Sequence, residues 1–322
     1  MEEESGRGTS AVRVLFWGSP EFAIPSLSAL VESKHEVVGV VTQPDRPAGR
    51  GRNLRRTAIK SASLQYGFPI LEPVSPSEES FIRVLQEIGA DASVVVAYGK
   101  KLPESLLGMF PFGCINIHAS LLPSLRGAAP INWALIRGLR ESGVTVMRMV
   151  GEMDAGPILF QLKEGIGSTD TAWDLEERLA GLGAKALIHT LESLENGSLE
   201  SREQDDSRVT YAPKIRKSTA RIDWLQSASS IADMVRGMDK RPGAWSLMLD
   251  MPIKLFKGIP IAESVSEVLP GTVLMADATS GLMIATGGGI LKIGEVQPPG
   301  KTRMSARSWI LGRGIEVGQR FQ

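Results

Sequence analysis

Asn116 and His118 stand two residues apart in Cys114-Ile-Asn-Ile-His118, a short apolar run. In an extended segment residues i and i+2 share a face. The spacing therefore sets an amide and an imidazole side by side and turns Ile115 and Ile117 to the other face. Histidine exchanges protons near neutral pH, and an asparagine amide can donate to an oxygen that is gaining negative charge. Asp154, in Gly151-Glu-Met-Asp-Ala-Gly-Pro157, is the candidate for orienting the imidazole and stabilising its cation, with Glu152 as a neighbouring candidate. Glycines around Asp154 allow close backbone approach. The set has no evident nucleophile of its own. Ser120 is near but lies in no G-x-S-x-G elbow, and Cys114 sits in the apolar run. An amide, an imidazole and a carboxylate without a nucleophile suit acyl transfer between two bound substrates, each bringing its own half of the chemistry.

Other chemistries lack their residues. Gly49-Arg-Gly51 begins a dinucleotide fingerprint, but position 54 is Leu and no strand precedes it. There is no G-x-x-x-x-G-K-[ST] loop. One cysteine and three scattered histidines (His35, His118, His189) give no internal disulfide, no cysteine-rich zinc site and no multi-histidine metal site, so no metal is expected.

Two features suggest a polyanion. Thr42 to Arg56 carries five arginines against Asp45 alone and is full of Pro and Gly, which reads as a basic loop able to meet phosphates. The 322-residue chain has zero net charge, yet residues from Val209 onward carry net +6 and the first 208 net −6. Lys214-Ile-Arg-Lys217 and Lys240-Arg241 lie in the basic part.

The elements that must position these residues alternate. Val12–Trp17 reads as a strand, followed by a helix that Ser19 caps with Pro20 at its first position. Glu36–Thr42, Ala92–Ala97 and Cys114–Ile117 read as buried strands, and Ser75-Pro-Ser-Glu78 as a capping box opening a helix over Glu78–Ile88. Apolar strands alternating with helices imply a doubly wound, mostly parallel sheet. Such sheets bind ligands beyond their carboxyl ends, where Asn116 and His118 fall. Val144–Val150 and Pro157–Leu162 extend the sheet, and Asp174–Leu194 is a long helix. A helix is expected at Ser230–Met238. Short strands at Ala244–Leu249, Ile253–Lys257, Gly271–Met275, Leu282–Thr286 and Ile290–Glu295 then suggest a small barrel or sandwich. The resulting division is a tail (1–11), a catalytic domain (12–196), a polar linker (197–223) and a second domain (224–322). The 43% apolar and 22% charged composition is that of a globular chain, and no run is long enough to span a membrane. The acidic start, Met1-Glu-Glu-Glu4, suits neither a secretory signal nor a transit peptide, so a cytoplasmic location is expected.

Five stretches make the chain resemble the methionyl-tRNA formyltransferase family. They are Gly18-Ser-Pro-Glu-Phe22, Thr42–Gly51, Ala97-Tyr-Gly99 with Leu102-Pro103, Asn116–Pro123 with Arg126-Gly-Ala-Ala-Pro130, and Met153-Asp-Ala-Gly156. The Asn–His–Ser-Leu-Leu-Pro core is shared by folate-dependent formyltransferases generally. The choice of acceptor rests on the arginine-rich stretch, Ala212-Pro-Lys-Ile215, Ala220-Arg-Ile-Asp-Trp224 and Pro242-Gly-Ala-Trp245. The resemblance implies a Rossmann-like domain binding 10-formyltetrahydrofolate and an OB-like barrel facing initiator methionyl-tRNA, in a monomer. It makes Asn116, His118 and Asp154 catalytic. It places Ser120, Leu121, Leu122, Pro123, Tyr98 and Gly99 at the folate, and Arg46, Arg50, Arg52, Lys214 and Lys217 at the tRNA. A formyltransferase for a sugar nucleotide or other small amine shares the same core and is the alternative.

Overall fold

Arg13-Val-Leu-Phe-Trp-Gly18 forms strand β1, buried at every position after Arg13, as a central strand covered on both faces must be. In the computed structural model, which describes residues 11–48, 53–239, 241–263 and 267–322, β1 lies in the first of two compact units. The first unit holds residues 11–127, 142–164 and 176–211; the second holds 128–141, 165–175 and 212–322. Residues 197–223, read from sequence as a linker, are thus divided between them.

After β1 (Arg13–Gly18) come α1 (Ile24–Glu32), β2 (Glu36–Val41), β3 (Arg46–Ala48), β4 (Asn53–Arg55), α2 (Ala58–Tyr66), β5 (Ile70–Leu71), α3 (Glu79–Ile88), β6 (Ala92–Val96), α4 (Glu104–Leu107) and β7 (Cys114–His118). Then α5 (Pro130–Ile136) falls in the second unit, and β8 (Glu141–Arg148), β9 (Ile158–Gly165) and α6 (Ala172–Glu195) follow. The sheet order is β5-β2-β1-β6-β7-β8-β9. Pairings from β5 to β7 are parallel, and β8 runs antiparallel to β7. The chain turns outward in both directions from β1 and β6, which makes their carboxyl ends a topological switch point.

Three local expectations change. Glu78, not Ser75, is the N-cap of α3, without a side-chain cap, and its carboxylate accepts from Ser75 N at 3.1 Å. Pro20 precedes a short 3-10 turn (Glu21–Ala23) with no side-chain cap. Ser19 instead donates its hydroxyl to Tyr98 O at 3.2 Å, tying the end of β1 to the segment after β6. The arginine-rich stretch is not all loop. Its flanks pair as an antiparallel hairpin, Arg46 opposite Arg55 and Pro47 opposite Leu54. Arg50 and Arg52 lie outside the described residues.

The second unit is built around α7 (Ala228–Gly237), β10 (Ala244–Met248), β11 (Met251–Ile261), β12 (Val273–Asp277), β13 (Gly281–Ala285), β14 (Ile290–Gln297), β15 (Met304–Ser305) and α8 (Ala306–Leu311). Ser227 caps α7 by accepting from Ser230 N, and Ala228, Ile231, Ala232 and Val235 are buried at helical spacing. The antiparallel ladder runs β10-β11-β14-β13-β12. Its two edge strands are joined by the tail. Gln322 exchanges backbone hydrogen bonds with Leu247 of β10, at 3.0 and 2.9 Å, and Gly318 and Gln319 bond Val273 of β12. The tail carries Phe321 into the core against Trp224, ring centroids 5.6 Å apart.

Candidate active site

β7 pairs in register with β6 and β8, and the pairing fixes its faces: Asn116 lies opposite Met147 and His118 opposite Thr145. Ile115 and Ile117 are buried on the other face, where Gly183 of α6 lets Ile117 approach the helix closely. Asn116 is half-buried, and among the described residues nothing hydrogen-bonds its side-chain amide.

His118 is buried, and both ring nitrogens have company. Nε2 lies 3.0 Å from Leu125 O. A carbonyl only accepts, so Nε2 carries the hydrogen and Nδ1 is the atom whose protonation changes. Nδ1 faces Asp154 Oδ2 at 3.6 Å. That carboxylate is mostly buried, and Oδ2 also accepts from Gly127 N at 2.8 Å. Sequence reasoning thus brings together Asn116 and His118 on one strand and Asp154 from the loop after β8. Glu152 instead faces the buried guanidinium of Arg126, 3.8 Å away, with most of its own side chain in solvent.

Two residues of this site hold left-handed backbone without being glycine: Leu125 at φ 63° and Asp154 at φ 53°. Each such residue costs about 1–3 kcal/mol and persists only where its surroundings hold it. Close packing contributes at Asp154, since a Cβ on Gly156 would overlap the carbonyl of Arg148.

Neither nearby nucleophile is free to act. Ser120 Oγ donates to Ser124 O at 2.6 Å and is buried. Cys114 is buried beneath α4 with its thiol donating to Leu106 O, and burial pushes its pKa up to about 11.

The remaining sequence-assigned residues divide. Ser120 O accepts from Thr145 Oγ1 at 2.6 Å, and that hydroxyl oxygen accepts from Leu122 N at 3.0 Å. Leu122 packs on Met147 and Ile158, whereas Leu121 and Pro123 are partly exposed. Tyr98 turns its ring into the core, edge-on to Trp17 at 5.1 Å. Among the described residues its hydroxyl has no partner, and burial raises its pKa to about 12. An unpaired buried hydroxyl costs about 1–3 kcal/mol, less than the roughly 4–6 kcal/mol gained by burying the ring. Only the Tyr98 backbone faces the switch point, where Gln43 Nε2 donates to its carbonyl at 2.7 Å. Gly99 beside it holds a left-handed backbone at φ 83°, which a side chain would strain. Arg46, Lys214 and Lys217 are exposed, Lys217 with its ammonium 5.5 Å from the Trp245 ring centre.

Sequence reasoning missed Leu125, Gly127, Gln204 and Thr210. All act through backbone or across large separations, up to 85 residues for Leu125 N to Thr210 Oγ1. No periodicity or motif encodes such contacts.

Comparison with known proteins agrees along the chain. The family profile described as Formyl transferase matches residues 11–191, and Formyl transferase, C-terminal domain matches residues 214–314. The methionyl-tRNA formyltransferase of Methylococcus capsulatus is 44% identical over 302 residues, 93% of this chain and 96% of that one. That of Thiobacillus denitrificans is 41% identical over 310 residues, covering 96% and 99%. Among solved structures, WlaRD, a sugar 3N-formyl transferase determined with dTDP and 5-N-formyl-THF, superposes with a TM-score of 0.66 at 18% identity over 90% of this chain and 99% of its own.

Proposed function

The chain belongs to the formyl transferase family, and from that membership and the site we propose that it transfers a formyl group from 10-formyltetrahydrofolate to the α-amine of methionyl-initiator-tRNA, for translation initiation. The observation that carries this reading is a His118–Asp154 pair, out of most solvent, with the half-buried Asn116 amide on the same strand as His118 and both local nucleophiles occupied or inert. Such a site acts on two substrates and forms no covalent enzyme intermediate.

The folate supplies the formyl carbon and a nitrogen that takes up a proton once the carbon has left. Asn116 donates to the formyl oxygen as charge builds there, an effect worth about 10²–10³ in kcat at comparable sites. His118 exchanges its proton at Nδ1, because Nε2 is held by Leu125 O. Asp154 holds the orientation of the ring, so the proton lost by the attacking amine passes through Nδ1 or a bridging water to the folate nitrogen. Backbone around Ser120–Pro123 and Gly99 lines the folate site, and the hairpin bearing Arg46 meets the phosphates of the acceptor stem together with Arg50, Arg52, Lys214 and Lys217. The protein acts as a cytoplasmic monomer; no helix among the described residues is long and apolar enough to cross a membrane.

The test is a formyl-transfer assay offering charged initiator methionyl-tRNA, free methionine and an amino-sugar nucleotide in parallel. Product with methionyl-tRNA alone is expected. Product with the sugar nucleotide and none with tRNA would keep the site chemistry and overturn the acceptor.

A further inference from the structure

Gln204 lies in the polar stretch after α6, far in sequence from every residue of the site, yet its side-chain amide is anchored on the site's supporting loops. Nε2 donates to Asp154 O and to Gly156 O, both at 2.8 Å, and Oε1 accepts from Arg126 Nε at 3.0 Å. One amide therefore clamps the loop carrying Asp154 and joins it to the residue between Leu125 and Gly127. Those neighbours are the two backbone partners of the pair: Leu125 O takes His118 Nε2, and Gly127 N binds Asp154 Oδ2. Six residues on, Thr210 Oγ1 accepts from Leu125 N at 2.9 Å, and Thr210 O from Arg126 N at 2.9 Å. The segment 204–210 thus grips both left-handed residues, Asp154 and Leu125, from outside the strands that present the chemistry.

We propose that Gln204 is a positioning residue for formyl transfer, setting the distance between Asp154 and His118, and that Thr210 does the same for the opposite nitrogen of the ring. The inference rests on the proposed roles of His118 and Asp154. The bonds of Gln204 and Thr210 run to other residues of the chain. Each acts through the backbone of a residue that does the holding, and a shift of about 1 Å in a reacting group can lower the rate about 100-fold.

The experiment is a double-mutant cycle on the full chain, measuring kcat and both KM values for Gln204→Met, Asp154→Asn and the pair. Methionine keeps the volume of glutamine and removes all three hydrogen bonds. Gln204→Met is expected to lower kcat about 10-fold with each KM within about twofold, and to add less than about twofold in the Asp154→Asn background, because residues acting through one another are not additive. Thr210→Val, which removes only the acceptor for Leu125 N, is expected to lower kcat in the same way if Gln204→Met fails to fold. Equal losses in both backgrounds, or wild-type kcat in the folded variants, would overturn the proposal and leave the segment a merely structural support. Wild-type kcat in Asp154→Asn alone would instead overturn the catalytic pair on which it rests, an outcome that this arm identifies by itself.

Discussion

Asp154 approaches His118 without bonding it: 3.6 Å separates Oδ2 from Nδ1, while the same oxygen is bonded to Gly127 N at 2.8 Å. A neutral ring presents a lone pair at Nδ1 to a carboxylate, so the contact becomes favourable only when Nδ1 takes up a proton.

His118→Ala and Asp154→Asn are accordingly expected to lower kcat by about 10²–10⁴ and by about 10–10³ respectively, leaving tRNA affinity unchanged. Steady-state kinetics with filter binding of methionyl-tRNA checks this. Wild-type turnover in both variants would remove the pair from the mechanism.

Lys60 is expected to govern the arginine hairpin from its base. Its ammonium lies 2.9 Å from Asp45, just before β3, and 2.8 Å from Glu72, and these two hydrogen bonds hold its pKa above the ordinary lysine value. Thr57, just after β4, caps α2 by accepting from Lys60 N at 3.0 Å. Lys60→Met is predicted to raise KM for methionyl-tRNA about 5–10-fold with kcat for bound substrate retained, and Lys60→Arg to restore it. Arg46→Ala should weaken tRNA binding and reduce the salt slope by about one, whereas Lys60→Met should leave the slope intact. An unchanged KM in Lys60→Met would disconnect Lys60 from the hairpin.

His35 gives the fold an acid limit. It is buried at the start of β2, accepts from Val12 N at 3.3 Å, and its Nε2 has no partner among the described residues. Burial lowers its pKa, opposed by the nearby Glu195. A base held neutral in the fold binds fewer protons there than in the unfolded chain, so stability is full above the unfolded value of 6.5 and is lost as pH falls below it. Urea midpoints are expected to fall between about pH 7 and 5, and to fall less in His35→Gln. Equal slopes would refute this.

Cys114 supplies the alkaline counterpart. A thiol whose pKa rises from 9.0 unfolded to about 11 folded stabilises the fold below pH 9, and that contribution is lost as pH rises toward 11. At pH 8 the native protein should therefore resist thiol reagents that modify it within minutes once unfolded. Rapid labelling of the folded chain would show that the thiol is reached.

Much of this was legible in the sequence where a short-range pattern carries it. The i, i+2 alternation from Cys114 to His118 specifies both the strand and the shared face, and the spacing of Ala228, Ile231, Ala232 and Val235 specifies α7. Ser19 misleads because a serine before a proline fits a cap equally well whether or not a carbonyl across the sheet competes for its hydroxyl, and here Tyr98 O does. Tyr98, which the resemblance places at the folate, turns its ring onto Trp17 in the core, a contact that no local pattern signals. Gln204 leaves no local trace at all: its partners lie 48 to 78 residues back along the chain.

The tail that joins β10 to β12 imposes an order of events. Ser246 Oγ donates to the carbonyl of Gln322 across 76 residues, and residues 318–322 bond both β10 and β12, so the ladder's edges are bridged only once this segment has been made. The first unit's β1, β2, β5, β6 and β7 are all translated before residue 119, and can pair while the rest is still being made.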